Sequence, residues 1–236
     1  MNKIIHRAGE RGYFNHGWLE TYHSFSFGGW FDRNKMGFGL LRVLNDDTVA
    51  PGKGFGMHPH DNMEIVTIIL KGQLKHRDSM GNEGIIKVNE IQAMSAGSGI
   101  LHSEYNPSET ESCSLFQIWI RPSTMNIKPR YEQKSFDFKE KNNRFMTLVS
   151  PKKSHETIFI NQNAYFSIAV IDKDNKIEYK LRESNNGIYL MVIEGEIKID
   201  NDVLSRRDAI GISGVDVVSF EALTDSEILV IEVPMG

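Results

Sequence analysis

The sequence predicts an all-β chain, and three observations carry that expectation. Short β-branched and aromatic runs recur along its length, turn-forming residues bound most of them, and no long amphipathic helical pattern interrupts them. In order, the strand runs are Gly39–Leu44, Glu64–Leu70, Ser114–Ile120, Tyr165–Ile171, Ile188–Ile193 and Glu227–Val233. The turns are expected at Asn45-Asp46-Asp47, Lys71-Gly72, Met80-Gly81-Asn82, Asp172 to Asn175, Glu194-Gly195 and Asp200-Asn201-Asp202. Many short strands at regular spacing predict a sandwich or barrel.

Composition narrows the class. At 236 residues the chain holds about one to two domains, and 40% hydrophobic with 25% charged residues describes an ordinary globular protein. A net charge of −4 supplies no general attraction for nucleic acid or anionic membrane. The single cysteine, Cys113, excludes an intramolecular disulfide and points to a reducing cytoplasm. Met1–Gly12 carries Lys3, Arg7, Glu10 and Arg11 with no apolar stretch, so it does not read as a signal peptide. The longest apolar run, Ile188–Ile193, is too short to span a bilayer.

An internal duplication is expected. Leu70-Lys71-Gly72-Gln73 resembles Ile193-Glu194-Gly195-Glu196, an offset of 123 residues. Applied without gaps, the offset places Leu181, Glu183 and Gly187 opposite His58, His60 and Glu64. The boundary between repeats is expected at Pro122–Ser135, a stretch with two prolines and several charges that follows a clear strand.

The chemistry concentrates in residues 52 to 104. His58-Pro59-His60 and His102-Ser103-Glu104 place potential ligands two residues apart, which in a strand puts each pair on one face. Neighbouring strands carrying these pairs would offer three imidazoles and one carboxylate, a set suited to iron, copper, manganese, nickel or zinc. Glu64 shares parity with His58 and His60 and is an alternative carboxylate. Glycines before His58 and His102 allow the turns that deliver them, and Pro59 suits an edge or a bulge.

These runs resemble the two motifs of the cupin superfamily, and more closely the pirin family of bicupins. The resemblance extends to His23-Ser-Phe-Ser-Phe27, Met36-Gly-Phe-Gly39, Leu41 to Asp46, His76-Arg-Asp-Ser-Met80, Met94 to Gly97 and Gln117-Ile-Trp-Ile120. It runs from about His16 to Phe136 and is weak beyond, where only the cupin scaffold recurs. Three departures from the cupin pattern, the longer Glu64-to-Gly72 spacing, Ile91 and Gly97, remove no ligand. The resemblance implies an all-β bicupin of two stacked cupin β-barrels of the double-stranded β-helix type. Residues 1–135 would form the N-terminal barrel with the metal site, and 136–236 a C-terminal barrel lacking ligands.

The implied ligands are His58, His60, His102 and Glu104, with Glu104 also the catalytic base. The expected cofactor is one divalent transition metal per chain, iron(II) foremost, with copper, manganese, nickel and zinc as alternatives. The implied activity is that of quercetinase-type pirins, which open a flavonol with O2 and release carbon monoxide. The alternative is a metal-binding regulatory protein that meets a transcription factor or metabolic enzyme. Partners are then a small planar flavonol and O2, with a protein partner under the alternative, no nucleic acid and no membrane.

Other residues have blander expectations. His76 is expected to be a hydrogen-bonded strand-end histidine, and His6, His16, His23 and His155 structural or exposed. Phe25, Phe27, Trp30, Phe31 and Phe38 read as core filling, with the lining of a planar-substrate pocket as the alternative, whereas Phe55 and Met57 flank the first ligand run and are better pocket candidates. Cys113 reads as a small buried hydrophobe, and Arg121 and the Lys139-Glu140-Lys141 cluster as solvated surface.

Overall fold

The computed structural model describes residues 1–137 and 143–236; the Lys139-Glu140-Lys141 cluster lies outside the described residues. Strands dominate, and the one helical element among the described residues is a 3-10 turn at Ala8–Glu10. The first strands are β1 (Asn2–His6), β2 (Gly12–Asn15), β3 (Leu19–His23), β4 (Leu41–Val49), β5 (Gly54–His60) and β6 (Glu64–Lys71). Next come β7 (Gln73–Asp78), β8 (Glu83–Lys87), β9 (Glu90–Ser95), β10 (Ile100–Tyr105), β11 (Cys113–Ile120) and β12 (Arg130–Ser135). The later part holds β13 (Met146–Ser150), β14 (Ile158–Phe159), β15 (Tyr165–Ile171), β16 (Lys176–Lys180) and β17 (Asn186–Glu194). It closes with β18 (Glu196–Ile199), β19 (Asp202–Ser205), β20 (Ala209–Ser213), β21 (Val217–Ala222) and β22 (Ser226–Pro234). No helix among the described residues is long and apolar enough to cross a membrane.

These strands form two similar halves. In the first, a seven-stranded sheet β12-β9-β6-β11-β4-β3-β2 faces a four-stranded sheet β5-β10-β7-β8. The second repeats the plan with β1-β20-β17-β22-β15-β13-β14 and β16-β21-β18-β19. Each half is therefore a cupin-type β-sandwich and not the closed barrel expected from sequence. The ladder breaks where the chain crosses between sheets, at turns such as Asn62 (φ 46°) and Gly72 (φ 74°). At Gly72 a Cβ would also sit 2.9 Å from the Ser112 carbonyl oxygen, so the turn is built for glycine.

Alternation assigns the two faces of each large sheet. On β11, Phe116, Ile118 and Ile120 enter an apolar core shared with Phe166, Ile168, Met191 and Ile231 of the other half. The two seven-stranded sheets thus pack against each other, each buried aliphatic side chain contributing about 1.5–3 kcal/mol. The opposite face of β11, with Leu115, Gln117 and Trp119, looks into the first sandwich.

Three expectations are corrected here. Asn45-Asp46-Asp47 is not a turn but the middle of β4, because tertiary partners take up its two carboxylates. Asp46 pairs with Arg11 at 3.2 Å and Arg207 at 2.8 Å, and Asp47 accepts from the Thr21 hydroxyl. Within the expected Pro122–Ser135 boundary, Arg130–Ser135 is strand β12, paired to β9. The first strand of the chain lies in the other half: β1 pairs with β20 along its whole length, from Asn2↔Ser213 to His6↔Ala209.

The duplication is visible in strand order, but the ungapped offset holds only locally. It fits β6 against β17 and carries Lys75 onto Lys198. Lys75 pairs with Tyr105 and Lys198 with Glu221, which aligns β10 with β21. His102 then corresponds to Val218, which faces Tyr179 as His102 faces His58. So Tyr179, not Leu181, stands in the place of His58. The offset fails here because the connection from Tyr179 to Gly187 is two residues longer than that from His58 to Glu64, and beyond His58 β5 also carries one extra residue.

Candidate metal centre

That extra residue is a β-bulge. In the β5–β10 pairing the register shifts between His102↔His58 and Glu104↔Phe55, so Gly56 and Met57 together oppose Ser103. β5 is also an edge strand, which lets Pro59 sit without a ladder partner for its nitrogen. The bulge leaves His58 and His60 on the inner face, beside His102 of β10.

The three imidazoles converge. Ring centroids lie 4.4 Å apart for His58–His102, 4.8 Å for His58–His60 and 4.8 Å for His60–His102. One ligand atom from each lies within 4.8 Å of the others, a group able to hold a metal ion. His58 Nδ1 lies 2.7 Å from the Gly56 carbonyl oxygen; donating there, it presents Nε2 to the centre. Burial, aided by the neighbouring imidazoles, pushes His60 down to about 4 and His102 down to about 2. Both rings are then neutral at physiological pH, the form that binds metals.

Glu104 enters from the same strand as His102 and lines the same cavity. Its Oε2 accepts from Gln117 Nε2 at 2.8 Å, and its Oε1 holds longer contacts to Gln92 Nε2 at 3.3 Å and Thr67 Oγ1 at 3.5 Å. Burial pushes its carboxyl up to about 7, against those hydrogen bonds. Glu104 also falls in a second metal-capable group with His76 and His102. His102 is common to both groups.

Whether a metal suits this site is decided by His102. It is 1% exposed, and neither ring nitrogen has a hydrogen-bond partner. A buried imidazole with two bare nitrogens is costly unless a further atom takes a lone pair. Three nitrogen donors and an adjacent carboxylate fit a divalent transition metal. The cavity they border has a volume of about 270 Å³ and aromatic walls from Phe27, Phe55 and Trp119. Trp119 meets His60 edge-on at 4.9 Å.

Several expectations meet the structure differently. Glu64, weighed as a carboxylate alternative, belongs to neither metal-capable group among the described residues. It starts β6 beyond the sheet-crossing turn at Asn62, so parity with His58 and His60 is lost. Its carboxylate instead accepts from Ser95 Oγ at 2.8 Å and the Asn161 N–H at 3.1 Å. His76 is a buried strand residue whose Nε2 lies 3.3 Å from Asp78; its ring stacks on Tyr131 and lies 5.5 Å from His102. Phe55 lines the cavity, whereas Met57 is 54% exposed on the outer side of the bulge. Phe25 and Phe38 are core, Phe31 is exposed, and Phe27 lines the cavity. Cys113 is buried, its thiol pushed up to about 12.

The polar floor of Thr67, Gln92 and Gln117, and the wall residue Trp119, were not read from sequence as site residues. Gln117 and Trp119 gave a signal: two residues of like parity, one polar, in an otherwise aliphatic run.

Comparison with known proteins covers nearly the whole chain. A family model described as Pirin matches residues 5–120, and one described as Quercetinase C-terminal cupin domain matches 147–233. A protein of Escherichia coli K12 named quercetin 2,3-dioxygenase is 40% identical over 230 residues, covering 98% of each chain. A putative quercetin 2,3-dioxygenase of Zymomonas mobilis is 45% identical over 221 residues, covering 93% of each. Among solved structures, the bacterial pirin YhhW of Escherichia coli in complex with nickel(II) superimposes with a TM-score of 0.93 at 39% identity, covering 99% of both chains.

Proposed function

This chain belongs to the pirin family, and from that premise we propose that it is a metal-dependent dioxygenase that opens a flavonol such as quercetin with O2 and releases carbon monoxide. The observation that carries the reading is His102. It is a buried imidazole with two bare nitrogens, set among His58, His60 and Glu104 at the edge of a cavity with aromatic walls.

In this reading His58, His60, His102 and Glu104 hold one divalent metal per chain, iron(II) foremost. The structure of a relative in complex with nickel(II) supports a divalent ion as the occupant. A bound metal would supply the charge that acidifies a coordinated hydroxyl. The residues do the rest. Gly56 fixes the ring of His58 through its carbonyl. Gln117 fixes one oxygen of Glu104 and leaves Oε1, the more loosely held, to take the proton of the flavonol 3-hydroxyl. Phe27, Phe55 and Trp119 exclude water and offer faces to a planar ring system. The anionic flavonol is the electron-rich form that reacts with O2. The same reading keeps the first half, without the β1 strand that joins the other sheet, as the metal-holding unit, 136–236 as the unit without ligands, and the cytoplasm as the compartment.

The test is anaerobic reconstitution with Fe(II), Cu(II), Mn(II) or Ni(II), followed by quercetin and O2, recording flavonol absorbance and carbon monoxide together. Turnover with at least one metal, abolished in His60→Ala, is the expected result. Silence with every loaded metal would sink the dioxygenase and favour a metal-binding interaction protein.

A further inference from the structure

A second chamber opens beside the metal cavity. Its volume is about 300 Å³, and it shares Phe27, Asn45, Asp47 and Phe55 with the cavity that His58, His60 and His102 border. The two are adjoining rooms with a common wall, and that wall is the inward face of β4.

The chamber has an unusual lining. Phe14, Phe27 and Phe55 supply aromatic surface, while Asn45, Asp47 and His23 supply polar atoms. All three polar residues are 4–5% exposed. Asn45 Oδ1 and His23 Nδ1 have no hydrogen-bond partner. The His23 ring is bonded to the backbone of Phe27. A neutral imidazole that donates one N–H to a carbonyl presents its other nitrogen as an acceptor. Asp47 uses Oδ1 to accept from Thr21, leaving Oδ2. Asn45 Oδ1 and the free nitrogen of His23 are therefore acceptors turned toward the chamber, and leaving them bare is costly. The ligand they lack is flat, apolar on its faces and carries O–H donors on its edge.

We propose that this chamber is a subsite for a hydroxylated aryl ring of the substrate, with Asn45, His23 and Asp47 reading its phenolic hydroxyls. The inference rests on the flavonol reading above and adds a specificity to it. The fused rings with the 3-hydroxyl occupy the metal cavity. The pendant ring passes between Phe27 and Phe55 into the side chamber.

The experiment measures binding without turnover. The full chain loaded with redox-inert Zn(II) is titrated with quercetin and with an analogue lacking only the pendant-ring hydroxyls, followed by flavonol absorbance. Wild type is expected to bind quercetin about tenfold or more tightly than the analogue, as one well-made hydrogen bond is worth roughly that factor. Asn45→Leu should bring quercetin to the affinity of the analogue, leaving the analogue and the Zn(II) content unchanged. His23→Phe, checked for native circular dichroism, provides the same test if Asn45→Leu does not fold. Equal affinity of wild type for both flavonols would overturn the subsite and leave the flavonol reading standing. Binding of neither would end both proposals.

Discussion

The two halves share a strand order and differ in what they do with buried polar groups. In the second half the ligand positions are occupied by core residues. Tyr179 stands for His58, Val218 for His102, Phe220 for Glu104 and Ile199 for His76, all in one apolar cluster. Where Trp119 pairs with Ile65, Glu232 pairs with Ile188 at the matching place. That fully buried carboxylate is satisfied: Tyr179 Oη donates to it at 2.9 Å, the Arg182 N–H at 3.0 Å, the Glu183 N–H at 3.1 Å and Asn186 Nδ2 at 3.1 Å. The first half instead leaves His23, Ser24, Asn45, Glu64, His76, Gln92, His102 and Trp119 with unpartnered atoms, while the sheets of the second half leave His6 of β1 and Ser167 among the described residues. The lesson is that burial of charge alone does not mark a site. A convergence of such unpartnered atoms on one cavity does.

The comparison breaks most decisively if the first half's histidines are dispensable. His102→Ala, which removes the member common to both metal-capable groups, should abolish stoichiometric metal binding, since the described residues of the second half form no such group; metal analysis after gel filtration would expose a retained ion. Next in size is Glu232→Ala, which strands several buried donors at once and should cost about 3–5 kcal/mol in urea unfolding. A loss under about 1 kcal/mol would mean that the second half is not closed in the way described.

Glu104→Gln should act in the opposite direction. Burial in the folded metal-free protein pushes this carboxyl up to about 7, above the ordinary glutamate value of 4.5. The folded state therefore binds the proton more tightly. Stability is lost as pH rises from the unfolded value through about 7, and the full penalty is present above it. At pH 8 the amide variant should be more stable than metal-free wild type by up to about 3 kcal/mol. The advantage should vanish near pH 4, and unfolding at the two pH values tests the sign. The smallest effect is expected from Gln117→Leu, which loosens Glu104 without removing a ligand. Metal affinity should fall by roughly 10–100-fold, read by calorimetry. No change would show that the polar floor does not orient the carboxylate.

Much of this was legible in the chain. Tyr165–Ile171 is a strand at those very residues, and Glu64–Leu70 extends by one, because aliphatic runs buried on both faces need no further information. The histidine pairs were legible because strand parity is local. Less local features were not. Asn45-Asp46-Asp47 has the composition of a turn, yet Arg11, Arg207 and Thr21, from distant positions, hold it extended. Two of the residues that misled the reading of β4, Asn45 and Asp47, also wall the two chambers. Glu64 failed for a related reason, since parity does not survive a turn between sheets. Gln92, Thr67 and Gln117 come from three strands, and only pairing brings them beneath Glu104.

The placement of Asn2–His6 has an evolutionary consequence. A duplicated half with no metal-capable group among its described residues would be expected to erode freely, but here its loss would leave the opening strand without a sheet and strip the cover from Phe116, Ile118 and Ile120. Divergence in residues 143–236 is thus channelled toward substitutions that keep a packed wall, and deletion is closed off. The silent copy persists because the working one is threaded through it.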